Sequence, residues 1–147
     1  MLTSVLLIAL LGQATDGKRP ADIPYRLLRS EIPQRSDRLK EASFAVSVDR
    51  PLSRENVQIL ICRILIKEQP PRFEKLNILV FVDLDEYIPS NGSALLEQKN
   101  TAHQLAWYVW NGKLPKVRGR LVMIKDTDGN PLDQLQSREF DLEKNCR

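Results

Sequence analysis

Between Pro51 and the pair Pro70-Pro71 lies the one stretch of this sequence with clear helical periodicity, and strand-like patterns flank it on both sides. Val57, Leu60, Ile61, Ile64 and Leu65 recur at i, i+3, i+4, i+7 and i+8, an apolar stripe suited to a flat partner. Ser53 supplies the N-cap, Glu55 suits the first turn, and the prolines end the element because they cannot continue its hydrogen bonds. Ile59 and Ile66 lie nearly opposite the stripe, so the back of the helix is not wholly polar. With no second helix of comparable pattern to pack on, the rest of the chain must supply a sheet.

It does so in short pieces. Tyr25–Ile32 reads as a strand closed by Pro33, and residues 34–38 as a polar turn. A second strand covers Lys40–Asp49, where Ala42, Phe44, Val46 and Val48 alternate with Ser43, Ala45 and Ser47. The short connection makes the two an antiparallel hairpin. Leu76–Val82 is almost unbroken apolar sequence, the pattern of a central strand covered on both faces. A loop over residues 88–93 and a short helical stretch at Ser93–Lys99 follow, then strands at His103–Trp110 and Leu121–Lys125. The order β-β-α-β-(α)-β-β predicts an α+β two-layer sandwich: a mostly antiparallel sheet with one main amphipathic helix, in a single domain over residues 24–147 that ends in a polar tail.

The segments RPLSRENVQILICRIL (Arg50–Leu65), NILVFVDLD (Asn77–Asp85) and NTAHQLAWYVWNG (Asn100–Gly112) carry a resemblance. From Tyr25 to Gly112 the chain resembles a family of small uncharacterised bacterial domains found in exported proteins. The resemblance implies a fold and bacterial export, and carries over no active residue.

The amino terminus points the same way. An apolar run, Val5–Leu11, precedes Gly12 and Ala14 at the spacing a signal peptidase accepts, so a signal peptide over residues 1–14, cleaved after Ala14, and a polar leader over 15–23 are expected. The run is too short to cross roughly 30 Å of hydrocarbon, and no transmembrane span is expected in the mature chain. The competing reading is an uncleaved anchor or a first strand, because no Lys or Arg precedes the run. Localisation is then periplasmic or secreted. There Cys62 and Cys146 can form a disulfide that closes a loop of about 84 residues and contributes roughly 4–5 kcal/mol; the alternative is two unpaired thiols.

In all, 22 Lys and Arg against 19 Asp and Glu leave a net charge of +3, too mild for a nucleic-acid signature. The distribution says more. Lys113, Lys116, Arg118, Arg120 and Lys125 crowd a stretch without acids, and residues 126–143 reverse the sign. Trp107, Tyr108 and Trp110 stand beside this basic segment, and on a strand Trp107 faces away from the other two, so one set fills the core and the other can form a platform.

Catalytic constellations are incomplete. His103 is the only histidine, and no nucleophile-elbow pattern accompanies it. Asp83 and Asp85, two apart at a strand end, project from one face and can serve as acid and base or hold a divalent cation, with the solvated strand end as the bland alternative. Asp126-Thr127-Asp128-Gly129-Asn130 opens like a calcium loop but fails at Pro131 and Ser137, and reads as an Asp-Gly turn. Cysteine and histidine spacing offers no zinc site. No metal or cofactor is expected. Asn91-Gly92-Ser93 matters as a glycosylation triplet only in a eukaryotic secretory pathway.

The leading expectation is a non-catalytic binding module that meets a protein, a glycan or an anionic envelope surface through Trp110, Lys113, Lys116, Arg118 and Arg120. The alternative is a hydrolase-type enzyme using Asp83, Asp85 and His103 with or without a metal. A purely structural envelope component is the third.

Overall fold

The computed structural model describes residues 23–35, 38, 40–87 and 100–146. The expected signal peptide, the helical stretch at Ser93–Lys99 and the Asn91–Ser93 triplet lie outside the described residues. Six strands form one sheet in chain order: β1 (Arg26–Glu31), β2 (Glu41–Val48), β3 (Lys75–Val82), β4 (Gln104–Asn111), β5 (Gly119–Lys125) and β6 (Pro131–Glu139). Helix α1 covers Arg54–Glu68 and a short α2 covers Leu142–Asn145. The architecture is α+β with a mostly antiparallel sheet.

β1 and β2 form the expected antiparallel hairpin, while β2 and β3 run parallel and in register from Glu41↔Lys75 to Val48↔Val82. Parallel neighbours need a crossover, and α1 provides it. The Ser53 side chain accepts a hydrogen bond from the Asn56 N–H, as an N-cap should. The helix stops at Gln69, in the left-handed region at φ 43°, because Pro70 cannot extend it. Its stripe residues Val57, Leu60, Ile61 and Ile64 are fully buried in one cluster with Phe44 and Val46 of β2, Ile78 and Val80 of β3, Tyr108 of β4 and Leu121 of β5. Ile66, on the back of the helix, is 67% exposed.

The structure departs from the sequence reading in four places. Ile23, placed in the polar leader, is buried in the core cluster. β3 is covered fully on the α1 side only: on its other side Asn77 and Leu79 are half-buried and Phe81 is buried beneath the loop bearing Leu84 and Tyr87. The expected polar tail, Asp141–Arg147, contains α2, and β6 has no counterpart among the expected strands. β6 escapes pattern reading because it is a sheet edge whose side chains are almost all exposed, so nothing enforces alternation along it. The Asp-Gly turn is present between β5 and β6. Asp126 Oδ1 accepts from the N–H groups of Asp128 and Asn130, both at 2.9 Å, and Gly129 takes φ 83°.

Candidate binding cleft

Strand alternation sorts the aromatics of β4. Tyr108 and Trp110 turn toward α1 and are buried, and Trp107 turns to the opposite face, where it is 41% exposed and its Nε1 donates to Asn77 Oδ1. Trp110 is therefore not part of an exposed platform. Only 6% of it is accessible, and its ring forms the floor of a cleft of about 780 Å³.

Four stretches of chain build that cleft around the ring. The Phe73 ring stands edge-on to Trp110, with centroids 5.5 Å apart and planes at 80°. Leu65 reaches in from α1, Leu142 and Cys146 from α2, and Lys40 from the approach to β2. Backbone hydrogen bonds tie these segments together: Glu74 N–H to Lys40 O at 2.6 Å, and Gly112 N–H to Glu74 O at 2.9 Å. Gly112 must be glycine at this point, since a Cβ would lie 2.4 Å from the edge of the Trp110 ring. Trp110 Nε1 points at Asp141 Oδ1 at 3.4 Å, and the same carboxylate caps α2 by accepting from the Glu143 N–H at 3.0 Å. The Cys62–Cys146 disulfide bolts α2 to α1. It stands between this cleft and a broader furrow of about 970 Å³ over the back of α1, lined by Ile59, Cys62 and Ile66.

Charge is distributed unevenly around the rim. Glu74 pairs with Lys113 at 3.0 Å and Glu143 with Arg118 at 2.8 Å, so two of the expected basic contact residues neutralise rim carboxylates. Such exposed pairs are worth about 0–1 kcal/mol each. Lys40 donates to the carbonyls of Gln34 and Arg35, and among the described residues neither Lys40 nor Arg72 has a carboxylate within ion-pair distance. Among the described residues the rim thus carries two cations without a carboxylate partner, Lys40 being held by backbone carbonyls alone. Lys116 sits exposed in the β4–β5 connection, and Arg120 faces away, its guanidinium 3.4 Å from Ser137 Oγ on the same side of the sheet as Trp107. Of the five expected contact residues, Trp110 lies in the cleft, Lys113 and Arg118 at its edge, and Lys116 and Arg120 elsewhere.

The carboxylates at the end of β3 are arranged differently from the alternation argument. The strand ends at Val82, and Asp83 adopts φ 51° while its N–H bonds to Val48 O, so Asp83 and Asp85 do not continue a strand face. With Asp49 they border a shallow hollow of about 460 Å³, where Arg26 takes Asp85 at 3.4 Å. Ser47 Oγ in that hollow is occupied by the Leu84 N–H. His103 is not among the residues lining it, and its Nδ1 lies 2.8 Å from Val82 O. Among the described residues no three His, Cys, Asp or Glu side chains gather as a metal site.

Sequence reasoning misses Lys40, Arg72 and Phe73. The only local hint is an arginine and an aromatic residue directly after a helix-ending proline pair, a signal without direction until Trp110 is placed opposite. Set against known proteins, the chain matches no family model, no curated protein and no solved structure.

Proposed function

We propose that this protein is an exported, non-catalytic binding module whose contact site is the Trp110 cleft. The observation that carries the reading is the convergence of Lys40, Leu65, Phe73, Trp110 and Cys146, distant in sequence, on one concave aromatic-floored space. Export is supported by the disulfide and by the amino-terminal apolar run. Among the described residues no helix is long and apolar enough to cross a membrane.

Native mass spectrometry of the full, disulfide-bonded chain recovered from its own cells tests the reading. A small-molecule adduct is expected that persists in Asp83→Asn and disappears when Leu65→Trp fills the cleft, with circular dichroism confirming that both variants fold. An adduct that survives Leu65→Trp, or none at all, overturns the cleft as the functional site.

A further inference from the structure

The charges around the cleft specify what it holds. We infer that it binds an organic anion with a long apolar body, of the alkyl carboxylate class, with the head group at Lys40 and Arg72 and the body over Trp110. The inference rests on the cleft reading above and deepens it.

Three observations combine. The floor and walls are apolar: Trp110, Phe73, Leu65 and Leu142 contribute ring and methyl surface, which stabilises a hydrocarbon body by about 25 cal/mol per Å² removed from water. The cleft's volume of about 780 Å³ is ample for a single chain of that kind. The rim carboxylates Glu74 and Glu143 are already answered by Lys113 and Arg118, whereas Lys40 and Arg72 line the same space and, among the described residues, have no acidic partner. A neutral ligand would leave those two charges without a counter-charge, and a cationic one would be repelled. A carboxylate head complements them, and the Arg72 guanidinium suits a two-oxygen acceptor. A peptide is disfavoured, because its main chain would need free backbone donors and acceptors, and in this wall the Lys40 carbonyl already accepts from the Glu74 and Lys75 N–H groups and the Glu74 carbonyl from Gly112 N–H.

The test uses the full oxidised chain with Trp107→Phe, so that Trp110 is the one remaining tryptophan and its emission reports the cleft. Dodecanoate, dodecyltrimethylammonium, dodecyl maltoside and an acetylated pentapeptide ending in Leu-Leu with a free carboxylate are titrated below their aggregation concentrations. Dodecanoate is expected to shift the Trp110 emission saturably and at least ten-fold more tightly than the other three, with affinity falling as salt rises. Lys40→Glu with Arg72→Glu is expected to weaken dodecanoate at least ten-fold and to favour the ammonium amphiphile. Equal binding of the anionic, neutral and cationic chains overturns the charge assignment while leaving the cleft as the site. Binding of the peptide in preference to dodecanoate overturns the ligand class. Silence toward all four probes, with the native adduct still lost in Leu65→Trp, also overturns the class but not the cleft; silence together with no adduct removes both.

Discussion

A Cβ on Gly119 would lie 2.1 Å from the Phe140 carbonyl oxygen and 2.5 Å from the Tyr108 hydroxyl, so the start of β5 can pass this point only as glycine. The space saved serves one hydrogen bond, from Tyr108 Oη to Phe140 O at 2.7 Å, which anchors the segment leading into α2. Burial, seconded by the nearby Asp141 carboxylate, holds the Tyr108 phenol well above the ordinary tyrosine range. Tyr25, whose hydroxyl donates to Glu68 Oε1, is raised as well, first by burial and then by that carboxylate. The sign of the linkage follows: above pH about 10 the unfolded chain loses these protons while the folded chain keeps them, so stability falls as pH rises. Thermal melts from pH 8 to 11 are expected to show a decline beginning near pH 10, and Tyr108→Phe to flatten it by up to about 1.4 kcal/mol per pH unit. An unchanged slope in that variant would assign the alkaline loss to other groups. With no free cysteine among the described residues, no thiolate is present to start disulfide exchange at high pH.

Helix α1 is the element most completely written in local sequence. Its N-cap, first-turn acid, buried stripe and proline stop are all where periodicity and capping rules put them, because each depends on neighbours within a turn or two. Ser53→Ala is expected to cost about 1 kcal/mol, read as a lowered urea midpoint with unchanged slope. A loss near zero would mean that the β2–α1 connection, rather than the cap, sets where the helix begins. β6 is the opposite case. Strands β2 to β5 are legible because one or both faces are buried, whereas β6 keeps Leu135 64% exposed and offers no pattern to read. α2 is equally hidden: four residues are too few for a periodic signal, and what holds them is the Asp141 cap, the Arg118–Glu143 pair and the disulfide.

The Cys62–Cys146 bond joins residues 84 apart and closes β3 to β6, four of the six strands, into one loop. On the chain-entropy account its loss from the double variant Cys62→Ser, Cys146→Ser costs roughly 4–5 kcal/mol, on the order of 10–15 °C in Tm for a chain of this size. A melt of the variant beside the oxidised and reduced wild type checks this, and a drop of only a degree or two would show that the contacts of α2 suffice without the bridge. The far side of the sheet, with Trp107 and Val109 partly exposed, has no such closure among the described residues. Local sequence alone determined the helix, the β1–β2 hairpin, the inner strands and the Asp-Gly turn, since hydrophobic period and turn chemistry act over a few residues. It also narrowed the cysteines to two outcomes without choosing between them. Only the tertiary structure decided that Trp110 is a floor rather than a platform, that Lys113 and Arg118 are already matched by Glu74 and Glu143, and that Lys40, Arg72 and Phe73 share one space. Those facts depend on which way β4 faces and on which distant segments meet there, and no local period encodes either.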